Sequence, residues 1–440
     1  MCFTLRQQSM LLFLFLAREK SIMKLVYPVC CGVDVHKNTI TATIATTDEK
    51  NITQYIVETF PTINRDLIRF RTWLIDHNCL HVCMESTGKY WIPVFNILEE
   101  ANIHVLLTHP KYVRAIKGKK TDVKDSKWIA DLFKFDLVRS SFIPPKDIRA
   151  LREIGRYRYK LVNMRASEKN RYQNGMTVSN IGLASVLSDS FGKTATSIMQ
   201  HVLTSEVFDE EHCKTLIQKS AKKKTELILD SIRDCKIESD QQFKMIEARA
   251  HMDYLDKAVL RTEVELYTRI QPYMTTVQFI ASQLPGITQL SAALIISEIG
   301  ADMSVFESSK HLASWAGLAP ANNESAGKKK SVRISKAGQF LKPLMVQCAL
   351  AAVKSKKEPY FADKYHHLKK RRGHKKAIIA IARMMLTCIY HMISTGEVFN
   401  PSDYEEFSAP APPKFVLTDM SAIAFLAAQG YDVSSMRKTV

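Results

Sequence analysis

Cysteine is sparse in these 440 residues: there are nine, an odd number, with Cys30 and Cys31 adjacent and no CxxC pair anywhere. That usage excludes a disulfide framework and a zinc ribbon, and it fits a reducing cytoplasm. Long apolar runs are missing as well, since no segment is expected to reach the roughly 18 to 20 residues of a membrane span. The nearest candidate, MLLFLFLA from Met10 to Ala17, is followed by a charged Arg-Glu-Lys instead of a small-residue cleavage site. The chain restarts at Met23 with MKLVYPVCCGVDVHK, so residues 1–22 read as an upstream extension, with an export signal as the alternative. Negative charge is in deficit: 44 Asp and Glu face 62 Lys and Arg, a net +18 with His neutral. A polyanion is therefore the first partner to consider. With 46% hydrophobic and 24% charged residues, global disorder is excluded, and the length suits two or three domains.

What is present begins with strand-like alternation at Val33 to Val35, Thr39 to Ala45 and Ile52 to Glu58. An amphipathic stretch from Ile63 to Asp76 precedes a strand at Leu80 to Glu85. A helix near Tyr90 to Ala101 then precedes a strand at His104 to Thr108, and Asp122 to Phe135 reads as a further helix. The order βββαβαβα predicts a mixed-sheet α/β domain. Cys79, His81 and Cys83 admit a metal reading, but alternation within an apolar strand spaces same-face residues about 6.6 Å apart, awkward for a compact tetrahedral site.

Glycine and proline are both absent from Lys193 to Gln271, which argues for long helices there. An earlier helix carries an apolar stripe, Leu151, Ile154, Leu161 and Met164, flanked by Arg152, Arg156, Arg158, Lys160, Arg165, Lys169 and Arg171. Those cations suit a solvated coiled-coil arm as well as a nucleic-acid contact. At LPGI (284–287), Pro285 and Gly286 form a turn between apolar helical runs. Such a turn is either a helix-hairpin-helix phosphate contact or an ordinary helix connection. From Val305 to Lys376, 17 Lys and Arg face 4 Asp and Glu, so these 72 residues carry +13 of the total. Clusters at Lys328-Lys329-Lys330, at Lys354, Lys356 and Lys357, and at Lys369-Lys370-Arg371-Arg372 make a polyphosphate surface the better account of so local an excess.

Phosphodiester chemistry assisted by metal needs converging carboxylates. Asp34, placed mid-strand between Val33 and Val35, is costly there unless a cation or hydrogen bonds compensate it. Glu85 ends the later apolar strand. Asp122 and Asp125, three apart at a helix start, share one face, although helix capping alone explains such residues equally well.

The strings GVDVHK (32–37), ESTGKY (85–90), KTDVKDSKWIADL (120–132), LPGI (284–287), SWAGLAP (314–320) and NNESAGKKKSVRISKAGQFLKPL (322–344) resemble the DEDD transposases of bacterial insertion sequences, insertion-sequence family one-ten. The resemblance runs from about Val29 to Tyr390. It implies a RuvC-like, ribonuclease-H-fold domain at 23–145, a helical coiled-coil region at 146–280 and a mostly helical C-terminal transposase domain at 281–400. A linker and tail at 401–440 would follow. It further implies Asp34, Glu85, Asp122 and Asp125 as a tetrad holding Mg²⁺ or Mn²⁺, and Ser325 as a nucleophile that joins to a DNA phosphate. Lys328, Lys329, Lys330, Arg333, Lys336, Lys369, Lys370, Arg371, Arg372 and Gly286 are the expected nucleic-acid contacts. The implied partners are DNA, a structured bridge RNA that pairs with target and donor, and further copies of the chain, with no membrane; the expected place is the bacterial cytoplasm, at the nucleoid. Ser126 and Ala326 depart from the residues usual in that pattern. Two other functions compete: a RuvC-like junction nuclease that uses water alone, and a basic RNA-binding or architectural protein with a degenerate catalytic fold.

Overall fold

The alternating segments near the N-terminus become three successive strands in the computed structural model: β1 (Val29–Val35), β2 (Thr39–Thr47) and β3 (Thr53–Pro61). The structure describes residues 24–440 except 87, 114–120, 206, 321, 322, 326, 327, 332, 357, 402, 404–422, 424, 425, 431 and 433–440. Of 112, 323–325 and 328–331 it describes the backbone alone. The expected upstream extension at 1–22 and most of the tail thus lie outside the described residues. The chain divides into two compact units, 1–143 and 144–440.

In the first unit, α1 (Asn64–Asp76), β4 (His81–Glu85), α2 (Trp91–Glu99), β5 (His104–Thr108) and α3 (Asp122–Phe133) follow in the expected order. The sheet runs β3-β2-β1-β4-β5, with β1 antiparallel to β2 but parallel to β4. Both faces are covered, so β1 and β4 are almost continuously buried. One face carries Val33, Val35, Ile40 and Met84 against Leu67, Phe70, Leu74 and Leu98 of α1 and α2. The opposite face carries Cys30, Ala45 and Cys83 against Ile129, Ala130 and Phe133 of α3. Cys79 belongs to the first of these cores and Cys83 to the second, so the metal alternative at Cys79, His81 and Cys83 is replaced by packing.

Gly32 sets the depth of α3 on the sheet. A Cβ there would meet the Ser126 carbonyl oxygen at 2.2 Å and the Ala130 amide nitrogen at 2.3 Å, so helix backbone rests on strand backbone. Buried Ser126 locks the contact by bonding the Thr43 hydroxyl at 2.7 Å and donating to the Val123 carbonyl at 3.1 Å. The serine at this departure from the family pattern therefore has a defined partner on β2.

The second unit opens with α4 (Lys146–Val178). The stretch free of glycine and proline, expected to form long helices, holds the shorter α5 (Lys193–Thr204), α6 (Glu210–Leu216) and α7 (Thr225–Asp230) before one long helix, α8 (Ser239–Arg269). Polar residues supply the breaks. Asp209 caps α6 by accepting from the His212 amide at 3.0 Å, and Asp234 takes a positive φ of 55°. The short helices share a core of Ile198, Met199, Leu203, Cys213, Ile228 and Leu229 with Tyr172, Met176 and Met245 of the long pair. α4 and α8 run antiparallel, since Arg158 pairs with Glu263 while Glu168 pairs with His251.

Helices α9 (Met274–Gln283), α10 (Gln289–Ile299) and α11 (Ser309–Trp315) lead to a hairpin, β6 (Asn323–Ser325) and β7 (Lys328–Ser331). Then α12 (Leu341–Ala352), α13 (Tyr360–Arg372) and α14 (His374–Thr395) close the unit. α14 corrects one expectation. Its 22 residues are long and apolar enough to cross a membrane by length and composition. Its apolar face, Ile378, Ile381, Met385, Leu386 and Ile389, is buried in this unit, which is the setting of a core helix.

Candidate active site

The four acids expected of the first unit lie on three elements, and two of them, Asp34 and Asp122, come within ligand spacing of a shared point. Asp34 lies on β1 two residues beyond Gly32, hence on the sheet face that α3 covers. The parallel register of β1 and β4 runs to Val33↔Met84, one residue before Asp34 and before Glu85, the last residue of β4. Asp122 and Asp125 occupy the first turn of α3, capped by Thr121, whose hydroxyl accepts from the Lys124 amide at 3.4 Å. Carboxylates in that turn are favoured by the helix dipole. The depth imposed at Gly32 sets this turn above the carboxyl ends of β1 and β4, where open α/β sheets place their ligands.

Asp34 is buried at 8% exposure. Burial pushes its carboxyl above the ordinary range; His36 opposes the shift, and the charges of Asp122, Asp125 and Glu85 reinforce it. The charges of Asp122, Asp125 and Glu85 thus bear on Asp34. His36, passed over in the sequence, stands between two of them, its Nε2 3.3 Å from Asp34 Oδ2 and 3.5 Å from Asp122 Oδ1. Donor atoms of Asp34, His36 and Asp122 all fall within 4.8 Å of one another, a spacing that fits a divalent cation. The only sequence signal for the histidine was its place two residues after Asp34.

Ser325 ends β6 and pairs with Lys328 across the connection 326–327, so the family's candidate nucleophile sits at the closed end of a hairpin in the second unit. Lys329 and Lys330 continue β7, while Arg333 and Lys336 are exposed where the chain returns. Two glycines clamp the hairpin's base. A Cβ on Gly317 would lie 2.3 Å from the Ala337 oxygen, and one on Gly338 would lie 1.9 Å from the Ala316 oxygen, with φ of 67° and 68°. Lys369, Lys370, Arg371 and Arg372 form the exposed last turn of α13.

Other cations find partners inside the protein. On α4, Arg156 makes a two-pronged bond to the buried Glu298 carboxylate at 2.8 and 3.0 Å, Arg152 approaches the same group, and Arg158 and Arg165 pair with Glu263 and Asp256 of α8. These four act in helix packing. Gly286, with φ of 77°, lies against α12, where a Cβ would meet the Ala352 amide nitrogen at 2.4 Å. That contact accounts for the glycine without a phosphate.

Comparison with known proteins finds two matches along the chain, the first running across the boundary of the two units. A DEDD transposase family model named for IS110 matches residues 31–180, and a model described as transposase of the IS116/IS110/IS902 family matches 280–366. Together they cover more than half of the chain. An uncharacterized 42 kDa protein of insertion element IS900 from Mycobacterium paratuberculosis is 28% identical over 121 residues, which are 27% of this chain and 30% of that protein. The chain belongs to the IS110 family of transposases.

Proposed function

We propose that this chain cuts and rejoins DNA as the transposase of an insertion sequence, with Asp34, Glu85, Asp122 and Asp125 holding a divalent cation, Mg²⁺ or Mn²⁺. The observation that supports the reading is buried Asp34 at the end of β1, with Asp122 and His36 at ligand spacing beside it and the charges of Glu85 and Asp125 bearing on it. A buried aspartate surrounded by three further carboxylates is unfavourable without a cation, and function is the ordinary reason for retaining such a group. The sheet order β3-β2-β1-β4-β5 supports a ribonuclease-H-like, RuvC-like identity for this unit. A cation bound there supplies charge neutralisation and polarisation of a phosphate oxygen.

Ser325 is the proposed nucleophile. Its hydroxyl loses a proton and forms a bond to phosphorus as one bridging phosphorus–oxygen bond of the DNA breaks; the departing DNA oxygen takes up a proton. Attack by a hydroxyl of the partner DNA strand reverses the step and releases the serine, so rejoining needs no external energy source. Lys328, Lys329, Lys330 and Arg333 neutralise charge on the phosphate. Lys336 and the cluster Lys369 to Arg372 hold the backbones of DNA and of a structured guide RNA. Exchange between two DNA partners calls for more than one copy of the chain, with the α4–α8 arm as the pairing element.

Denaturing electrophoresis of labelled DNA with and without protease tests the reaction. The expected result is a protease-sensitive shifted band for the wild type, and no cleavage by Ser325→Ala or Asp34→Ala, both of which still bind DNA. Normal cleavage by Ser325→Ala without any adduct would transfer the reading to a nuclease that uses water. Binding should also weaken steeply with salt, each neutralised phosphate contributing a log–log slope of roughly 0.7 to 0.9. Affinity that hardly changes between low and moderate salt would remove the polyphosphate surface from the account.

A further inference from the structure

His36 stands in a prepared position. It follows β1 directly, and its backbone amide donates to the Thr39 carbonyl at 2.9 Å across the tight turn into β2. That turn is clipped to the end of β3: the Thr62 hydroxyl donates to the Lys37 carbonyl at 2.6 Å and the Thr62 amide to the Asn38 carbonyl at 3.0 Å. The main chain that carries the ring is thus fixed at both ends. From this turn the imidazole reaches oxygens on two different elements, Asp34 at the end of β1 and Asp122 on α3, at 3.3 and 3.5 Å.

Those separations resemble the edge of a coordination polyhedron. Donors at 2.0–2.1 Å from an octahedral ion stand about 3.0 Å apart when adjacent. Nε2 lies within a few tenths of an ångström of that spacing from each oxygen, and all three donors remain within 4.8 Å of one another. An ion pair alone is a poorer account, because one imidazolium offers a single positive charge to the two carboxylates it touches. A divalent ion offers two, and a neutral ring adds a donor without adding charge.

We infer that His36 is itself a ligand of the cation held by Asp34 and Asp122, and that its nitrogen donor makes the site favour Mn²⁺ over Mg²⁺. The inference rests on the carboxylate site proposed above. Mg²⁺ is a hard ion that prefers oxygen and gives up water reluctantly, whereas affinity for a mixed nitrogen and oxygen site rises along the transition series from Mn²⁺. His36 is then a residue that determines metal specificity, and the sequence Asp-Val-His places two donors of one ion on one side of the chain.

The test uses the full chain with Mn²⁺ or Mg²⁺ as the only added ligand. Electron spin-echo spectroscopy of bound Mn²⁺ reads nitrogen coordination directly, and calorimetry reads affinity. In the wild type a nitrogen coupling is expected, with tighter binding of Mn²⁺ than of Mg²⁺. His36→Gln should remove the coupling and weaken Mn²⁺ binding by at least about tenfold, on the scale of lost metal-site contacts, while Mg²⁺ affinity changes little. The wild-type spectrum decides the matter even where the variant fails to fold. Tight Mn²⁺ binding with no nitrogen coupling would reduce His36 to an ion-pair partner and overturn the inference, leaving the carboxylate site standing. Binding of neither metal, or Mn²⁺ binding that Asp34→Asn leaves unchanged, would overturn the carboxylate site as well.

Discussion

The first unit seats its acids by direct contact between backbones, whereas the second presents its serine and lysines on a hairpin with close backbone contacts at its base. Asp34 and Asp122 sit on elements whose spacing is set at Gly32, where α3 lies against β1 with no room for a methyl group. Ser325 and Lys328 sit at the far end of β6 and β7, and the close contact there is between residues 316–317 and 337–338. Charge follows the same division. Like charges are gathered in the first unit, while in the second the cations of α4 are matched by Glu298, Glu263 and Asp256 and those ending α13 stay exposed. Donors of a metal site must be placed within tenths of an ångström. A group that meets a long flexible polyanion tolerates more freedom.

Gly32→Ala is the most damaging change expected. Its Cβ would overlap backbone atoms of Ser126 and Ala130, which cannot rotate away as a side chain can. Overpacking of this kind typically costs about 1–3 kcal/mol, and occasionally more. Calorimetric melting should show the first unit's transition lowered or lost, together with metal binding. An unchanged melt would mean that α3 is not seated on β1 as described.

Gly338→Ala should also cost stability, but its effect is confined to the second unit and to the geometry of the hairpin. A non-glycine residue at φ of 68° carries about 1–3 kcal/mol of strain, and its Cβ would overlap the Ala316 carbonyl. The hairpin base then shifts while the first unit is untouched. Loss of the serine–DNA adduct with Mn²⁺ affinity intact is the expected pair of results. A normal adduct yield would show that the hairpin's base does not position Ser325.

Much of the first unit was legible beforehand, because strand alternation and the turns between strands announce themselves locally. The residues alone placed Asp34 within a strand, Glu85 at a strand end and Asp122 with Asp125 on one helix face; their grouping into one set came from the family resemblance. His36 was not legible, since a histidine after an acidic strand residue gains meaning only when α3 brings Asp122 to its other side. The α4 arginines were ambiguous for the same reason: Glu298 lies 142 residues from Arg156. The breaks between α5 and α8 escaped notice because Asp209 and Asp234 make turns without glycine or proline, the residues that usually mark them.

The smallest effect sharpens the contrast through the sign of two aspartates. Asp403, after α14, accepts from the Tyr360 hydroxyl at 2.8 Å and pairs with Lys364; the lysine chiefly, and the tyrosine with it, hold its carboxyl below the ordinary range. A depressed carboxyl stabilises the fold above its unfolded pKa of about 3.9 and loses that contribution as pH falls through the folded value. Asp34 is shifted upward by burial, so its charged form is a burden at neutral pH that is relieved as pH falls and the group takes up a proton. Asp403→Asn should therefore lower stability at pH 7, by about 1 kcal/mol for a part-buried pair, with the deficit shrinking as pH falls below about 3.9. Asp34→Asn should raise metal-free stability at pH 7, with the gain shrinking toward acid. Urea unfolding of both variants across that range reads the two trends side by side. Aspartates that changed stability in the same direction would show that the first unit does not hold its acid at the cost of stability, and would weaken the case that a cation belongs there.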